Sequence, residues 1–597
     1  MYIRRTTIKS HGSGEPYFTY RLVESTRVAG KVKQQTLLNL GRHFSVESAQ
    51  WPLLTARIEQ LLNAQGDFLT LALPTALEQT AQQLSNKLQQ TGYGEPLPPH
   101  TWQSVDMDSL ELSRPRQVGI EQLALHALQQ LKLIDKLQEL GFNRHELAAA
   151  IGNIVGRMAS PASEWATYHW LQQQSGLGEL IGYDFDAMGH DRLYQASDLL
   201  WKHKAALEAH LWQREQTLFD LKETIALYDL TNTFFEGAPD SELAQRGRSK
   251  ERRSDCPLVT LGLVLDSSGF PRCSRHFAGN VSEPSTLEGL LTELEASPHS
   301  TVIMDAGIAS EKNLQWLKGA GYHYIVVSRQ PHREFDETQA TLIKESPGNC
   351  VRAQRVEDGE RGEVKLYCHS EARELKEQAI LDSIAQRFEA GLTALNEGLS
   401  KPRCTKSSEK IHERIGRLKQ KYSRAAARYT ISVSEQEGKA TAITWSLNDA
   451  ADSAASHPGV YCLRTDLLDW DAAKLWQTYI LLTDLEAVFR SLKSELGMRP
   501  VYHHTADRLE GHLFITLLGY HLVHTLRHQL KAHDIHASWT SLRQLFANRQ
   551  RVSVTVKRED NRTIHLRKTT RIEPHQRPVL DALGLDYSVH PTKMTLI

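Results

Sequence analysis

The sequence predicts an α/β fold built on a mixed sheet with helices on its faces, preceded by a strand hairpin and a helical region and interrupted by an insertion. Three observations predict it. Between residues 222 and 328, short apolar runs and helical patterns follow one another as β, β, β, α, β, α, β, an order that suits a helix-covered sheet. Ahead of this, residues 51–215 repeat leucine, alanine and isoleucine at steps of three and four, the spacing of amphipathic helices. Residues 333–466 change character, and a long helical pattern from about Ala472 to Leu496 then resumes the sheet domain.

At 597 residues the chain exceeds what one hydrophobic core sustains, so several domains are expected. With 40% hydrophobic and 24% charged residues, it reads as a folded chain rather than a disordered one. No apolar run reaches membrane-spanning length, and MYIRRTTIKS does not open a signal segment. These features point to a cytoplasmic protein without a membrane partner. The six cysteines form no CxxC pair, which argues for reduced thiols over disulfides or a zinc ribbon. The 27 histidines include no HExxH and no Cys/His cluster, so their abundance does not make a metal site.

A net charge of -1 carries no general nucleic-acid signal. Its distribution is less even: residues 1–50, residues 401–430 and the stretch RQRVSVTVKREDNRTIHLRKTTR are each basic. Each fits a phosphate-contacting face or a solvated charged surface equally well.

Taken in order, YFTYRLVESTRV and KVKQQTLLNLG read as two strands of a hairpin turning at Val28-Ala29-Gly30-Lys31. WPLLTARIEQLL, LEQTAQQLSNKLQQ, IEQLALHALQQLKLIDKLQEL and HELAAAIGNIVGRMAS read as helices, with Pro96, Pro98 and Pro99 punctuating a loop. SEWATYHWLQQQSGLGELIG reads as packed helices rather than a DNA-reading pair, because it lacks basic residues. In the sheet region, IALYD ends in Asp229 and TVIMD ends in Asp305. The insertion carries the helix EARELKEQAILDSIAQRFEAGLTALNEGL and three strands, RYTISVSEQ, ATAITWSLN and GVYCLRTD, expected to form a small sheet of their own. The expected domains are a hairpin region (1–50), a helical region (51–215), two core parts (216–332 and 467–540) around an insertion (333–466), and a basic β-rich tail (541–597).

Asp229 and Asp305 each close an apolar run, where a carboxylate is costly to bury unless neutralised. At about 4 Å apart, two such acids repel by roughly 4 kcal/mol at an effective dielectric near 20, and a divalent cation converts that repulsion into binding. On the late helix, Tyr479, Leu482, Glu486, Phe489, Lys493 and Leu496 follow steps of three and four and share one face. The apolar members mark that face as inward, which makes Glu486 a partner for the two aspartates. Lys493 and Arg490 could then reach DNA phosphate, and Tyr479 could offer a hydroxyl to the same backbone. Three carboxylates suit Mg²⁺ or Mn²⁺, and two ions can activate an attacking oxygen while stabilising the leaving one.

Longer motifs around these acids resemble the bacterial insertion-sequence transposases of the IS4 superfamily, in particular the IS1634-like branch. They are YDLTNTFFEG, GRSKERRSDCPLVTLGLVLDSSGFP, FAGNVSEPSTL, VIMDAGIAS, YHYIVVSR and LEAVFRSLKSELGMRPVYHHTADRLEGHLF. The resemblance implies an RNase H-like core with an inserted mainly β domain and a DDE triad of Asp229, Asp305 and Glu486. It also implies metal-dependent cleavage at mobile-element ends and transfer of the 3′ hydroxyl into target DNA. The expected partners are double-stranded DNA, as terminal inverted repeats and target, and a second copy in a homodimer.

The family signature places an arginine between the tyrosine and the glutamate; here Leu482 stands in that position, with Arg490 or Arg499 as possible compensation. Asn280 and Arg329 admit a DNA role or simple turn and surface roles. Trp445 admits a base-holding role or strand packing. The alternatives to a transposase are a metal-dependent nuclease without strand transfer and a domesticated, non-enzymatic DNA-binding protein; the presence of all three acids counts against the latter.

Overall fold

The computed structural model describes the chain except residues 10–15, 29–30, 43, 63–72, 92, 94, 97–101, 222–224, 237–240, 248–252, 254, 295–298, 329–334, 449–457, 502 and 504. The described chain divides into two compact units: residues 1–207, 494–498 and 507–597 form the first, and residues 208–493 and 499–506 the second.

The first unit opens with an antiparallel sheet of β1 (Tyr2–Lys9), β2 (Pro16–Val28) and β3 (Lys31–Gly41). The expected hairpin is the β2–β3 pair, in register from Tyr20↔Gly41 to Val28↔Lys31; Ala29 and Gly30 of its turn lie outside the described residues. β1 is a strand that the sequence patterns did not single out. Leu22 and Ile3 of this sheet pack on α1 (Trp51–Leu62) and α2 (Thr75–Thr91) through Leu54, Ile58, Leu62, Leu77 and Ala81. Pro98 and Pro99 of the expected loop also fall outside the description.

After β4 (Glu95–Pro96) and β5 (Val105–Gln117) comes a helical stretch. The pattern expected as a single helix from Ile120 is two, α3 (Gly119–Gln130) and α4 (Leu133–Glu139), because Lys132 takes a left-handed backbone (φ 49°) between them. α5 (Arg144–Ala159) starts at a capping box, Asn143 with Glu146, and most of its residues are buried. α6 (Glu164–Gln173), α7 (Leu177–Ile181), α8 (Asp191–Lys202) and α9 (Lys204–Phe219) follow.

In the second unit, β6 (Ile225–Phe234), β7 (Leu258–Leu265), β8 (Pro271–Ala278), α10 (Leu287–Leu294), β9 (Thr301–Met304), α11 (Glu311–Gly319) and β10 (His323–Val327) reproduce the expected order. Alternate residues of the central strands, Ala226, Tyr228, Leu230, Val302, Met304, Tyr324 and Val326, meet Leu287, Leu290, Leu314 and Leu317 of α10 and α11 in one core. The sheet is wider than the sequence suggested. β11 (Thr341–Lys344), β12 (Val351–Asp358), β13 (Glu363–Ser370) and β16 (Val460–Thr465) extend it to nine strands in the order β11-β12-β13-β16-β10-β9-β6-β7-β8.

This corrects the reading of the insertion. GVYCLRTD does not join a small separate sheet: as β16 it pairs with β10 and β13 in the main one, where its six residues are all buried. What stands apart is mainly helical rather than mainly β. α12 (Glu371–Ser400), α13 (Ser408–Lys421) and α14 (Ser423–Ala426) close with the single hairpin of β14 (Tyr429–Gln436) and β15 (Lys439–Leu447) around Phe388, Leu392, Ile411, Ile415 and Ile443. The basic residues of 401–430 sit mostly on the exposed side of this body, Lys410, Arg414, Lys419 and Arg424 among them.

α15 (Ala472–Arg490) then packs against β6, β9 and β10 and ends earlier than expected, in a π-helical turn over Ser491–Glu495. The remainder returns to the first unit. α16 (Ala506–Ala532) was expected to belong with the glutamate helix, but it packs in the first unit, where the absence of a side chain at Gly511 lets it approach Ser197 of α8 closely. After α17 (Trp539–Phe546), β17 (Gln550–Arg558), β18 (Thr563–Thr569), α18 (Arg577–Ala582) and β19 (Lys593–Leu596) follow. Their strands are no tail: they form a five-stranded sheet with the earlier strands, ordered β4-β19-β18-β17-β5. Three arginines of that basic stretch, Arg549, Arg551 and Arg567, are buried. Among the described residues, no helix is long and apolar enough to cross a membrane.

Candidate active site

β6 and β9 are parallel neighbours paired from Ile225↔Thr301 to Tyr228↔Met304. The next residues on the two strands are Asp229 and Asp305. Adjacent parallel strands lie about 4.8 Å apart, so this register sets the two acids side by side. Because Tyr228 and Met304 point into the core under α10 and α11, strand alternation turns both aspartates to the opposite face, the one on which α15 lies. Asp305 follows the last residue of β9, as expected, and is exposed. Asp229 differs from expectation: β6 continues to Phe234, so the acid sits mid-strand, half-buried, where its parallel partner strand has just ended. The amide after each aspartate donates to its carboxylate, Leu230 to Asp229 Oδ1 and Ala306 to Asp305 Oδ1, both at 2.7 Å.

Tyr479 of α15 is half-buried. Its phenol is held above the ordinary tyrosine range, chiefly by burial, with Asp305 and Glu486 adding to the rise and Arg373 opposing it. One hydroxyl thus lies within electrostatic reach of an acid from the sheet and an acid from the helix. Its ring stands 5.9 Å from that of Tyr461 on β16, whose hydroxyl accepts a 2.8 Å hydrogen bond from Trp476 Nε1. Within this unit, among the described residues, no three carboxylate, imidazole or thiolate ligand atoms lie within 4.8 Å of one another.

The inward stripe expected on α15 needs correcting. Phe489 is buried, but Glu486 is exposed, so an apolar surrounding does not account for it. The π-helical turn after Arg490 also breaks the phase that would have carried Lys493 onto the line of Glu486 and Phe489; Lys493 is half-buried inside that turn. Arg490 is exposed one helical turn beyond Glu486, on its side of the helix. Leu482, in the signature's arginine position, is half-buried. The Arg499 guanidinium lies 5.9 Å from the Phe234 ring, at the far end of β6 from which Asp229 is several residues removed. Asn280 is on an exposed turn after the edge strand β8, two strands out from β6. Trp445 is partly buried and packs against the core of the helical insertion. Arg329 lies outside the described residues.

One cation escaped the sequence reading. Arg373, near the start of α12, holds its guanidinium 4.8 Å from the centroid of Tyr461 and bonds Glu377 with 2.8 Å between Nε and Oε1. Its charge also bears on Tyr479. Nothing in EARELKEQ marks it, because its approach depends on how the insertion is seated on the sheet.

Residues 232–522 match the family model described as "Transposase DDE domain", and residues 3–72 match "IS1634 family transposase, N-terminal domain". The chain belongs to the DDE transposases of the IS1634 family. The two matches span well over half of the transposase and include Asp305 and Glu486, while the first begins three residues after Asp229. It is accordingly a DNA-binding enzyme that cleaves DNA and transfers strands, of a family that uses divalent metal ions, and its mixed sheet is an RNase H-like core. No curated protein matches the sequence. Among solved structures, the transposase is similar to a piggyBac transposase synaptic complex with hairpin DNA, at 9% identity and a TM-score of 0.30, over 75% of this chain and 82% of that one.

Proposed function

We propose that Asp229, Asp305 and Glu486 are the catalytic carboxylates of this transposase and hold two Mg²⁺ ions, with Mn²⁺ able to substitute. The observation that carries the proposal is the β6–β9 register, which runs directly into the two aspartates, while the charges of Asp305 and Glu486 both add to the rise of the Tyr479 phenol. The donors are oxygens on half-buried or exposed side chains, the chemistry that hard divalent ions prefer and a setting that leaves room for a phosphodiester. When bound there, such ions activate the attacking oxygen and stabilise the leaving oxygen of an in-line displacement.

The remaining roles fall to the chain's own groups. Tyr479, kept protonated by its surroundings, donates a hydrogen bond to a phosphate oxygen. Arg490 and Lys493 contribute positive charge along the DNA strand, and Arg373 supplies the guanidinium that Leu482 lacks. The same carboxylates serve first for water attack at an element end and then for attack by the liberated 3′ hydroxyl on target DNA. Joining two ends is simplest with two copies of the chain, each presenting one site.

The test supplies a labelled element end and a supercoiled target with Mg²⁺. D229N, D305N and E486Q should each lower cleavage by at least about a thousandfold while retaining DNA binding and thermal stability, and chelator should abolish all product. Full cleavage by any one well-folded variant removes that residue from the triad. Cleavage without joined product identifies a nuclease instead.

A further inference from the structure

The first unit contains a cavity of about 270 Å³ lined by five cations, Arg114, Arg116, Arg551, Arg567 and Lys593, against three carboxylates, Glu179, Asp184 and Asp186. Its walls come from β5, β17, β18 and β19 on one side and the α6–α7 region on the other, segments outside both family matches. The cavity is built by a defect in the sheet. β5 and β17 pair at Arg116↔Arg551 and again at Ser113↔Ser553, so β5 carries one residue too many between those points. Arg114 takes up the excess in a left-handed backbone (φ 50°), a conformation that a non-glycine residue keeps only where its surroundings hold it. A bulge of this kind re-aims side chains. Here both Arg114 and Arg116 line the cavity.

The carboxylates do not balance these guanidiniums one for one. Glu179 is shared: its Oε2 accepts from Arg551 Nε at 3.0 Å and from Arg567 Nε at 3.2 Å, and its Oε1 accepts from Arg567 Nη2. Arg551 and Arg567 are themselves buried. Arg116 donates to the neutral carbonyls of Pro115 and Gln172 at 2.9 and 3.2 Å. Burial, then the nearby charges of Arg114 and Arg567, push Arg116 down to about 10. Crowded, partly desolvated guanidiniums of one sign are the environment in which an anion gains most, and their forked donors match phosphate oxygens two at a time. Lys593, exposed at the rim, adds a point charge where a strand would enter.

We propose that this cavity seats a phosphate of the DNA backbone, anchoring the duplex to the first unit independently of its base sequence. The proposal rests on the transposase reading, under which the chain binds DNA.

Fluorescence anisotropy of the full-length protein with a fluorescein-labelled random-sequence duplex tests it, across a salt series. R114Q/R116Q should weaken binding about tenfold and flatten the slope of log affinity against log salt by about 1. K593Q, on an exposed side chain, should move both in the same direction by a smaller amount. Variants that fold normally and bind with wild-type affinity and slope overturn the proposal; if the double variant misfolds, K593Q alone decides. Inorganic phosphate raising the thermal midpoint of the wild type but not of the double variant, with duplex binding unchanged, would make this a small-anion site and also overturn it. A wild-type protein that fails to bind any duplex removes the DNA reading itself, which is a different failure from unchanged variants.

Discussion

Arg373 is the residue on which the proposed chemistry depends without any motif to announce it. Its guanidinium lies over Tyr461 and acts on Tyr479, the phenol that also feels Asp305 and Glu486. Arg373→Ala should therefore lower strand cleavage about tenfold to a hundredfold, Arg373→Lys should recover part of it, and the thermal midpoint should hold, because the side chain is half-exposed. Single-turnover cleavage at saturating DNA is the measurement; an alanine variant as fast as the wild type would show that Arg373 serves packing alone. Arg490 and Arg499, the substitutes suggested by chain position, differ in setting. Arg490 follows Glu486 by one turn, whereas Arg499 stacks toward Phe234 and is held below the usual arginine range by burial. The helical stripe that pointed to Glu486 implied burial, but a side chain's exposure depends on what covers the helix, and at Glu486 little does.

At the scale of elements, the catalytic sheet depends on backbone meeting backbone where β7 begins and β8 ends. Gly279, in the FAGN motif, donates its amide to Leu243 O at 3.0 Å, and a Cβ there would overlap the carbonyl oxygens of Leu258 and Gln245. Gly279→Ala should cost about 3 kcal/mol or more in urea unfolding, whereas Asn280→Ala, one residue on and exposed, should stay within about 0.5 kcal/mol. Equal stability of the two variants would mean that the strands can part without penalty. The elements of this sheet up to β10 were legible because each is a short apolar run or an amphipathic helix. β11, β12 and β13 were not, since VRAQRVED and EVKLYCHS mix charges into strands. The place of β16 was illegible for a different reason: its apolar run suits any sheet, and only its pairing with β10 and β13 assigns it to the catalytic one. The break between α3 and α4 depends on one left-handed residue, Lys132, which carries no compositional mark.

For the whole molecule, stability should vary with pH through Glu121 of the first unit. Buried with its carboxylate accepting from Ser175 Oγ at 2.6 Å, it is pushed up to about 7 from an ordinary value of 4.5, mainly by loss of solvent. A carboxyl whose folded value is raised contributes stability below its unfolded value and loses it as pH rises through the folded one, here from about 4.5 to about 7. The thermal midpoint of Glu121→Gln should accordingly gain on the wild type across that window and run parallel to it on either side. A constant difference at all pH values would rule out Glu121 as the titrating group. By itself, the sequence determined the enzyme class and the order of the core elements and supplied the three acids proposed as the triad, because these are carried by local periodicity and contiguous motifs. Tertiary structure alone decided which strands complete the sheet, that Asp229 and Asp305 are neighbours in register, that Arg373 comes to lie over Tyr461, and that four arginines distant in sequence line one cavity. Each of those depends on pairing between segments far apart in the chain, and neither composition nor spacing encodes which partner a strand will find.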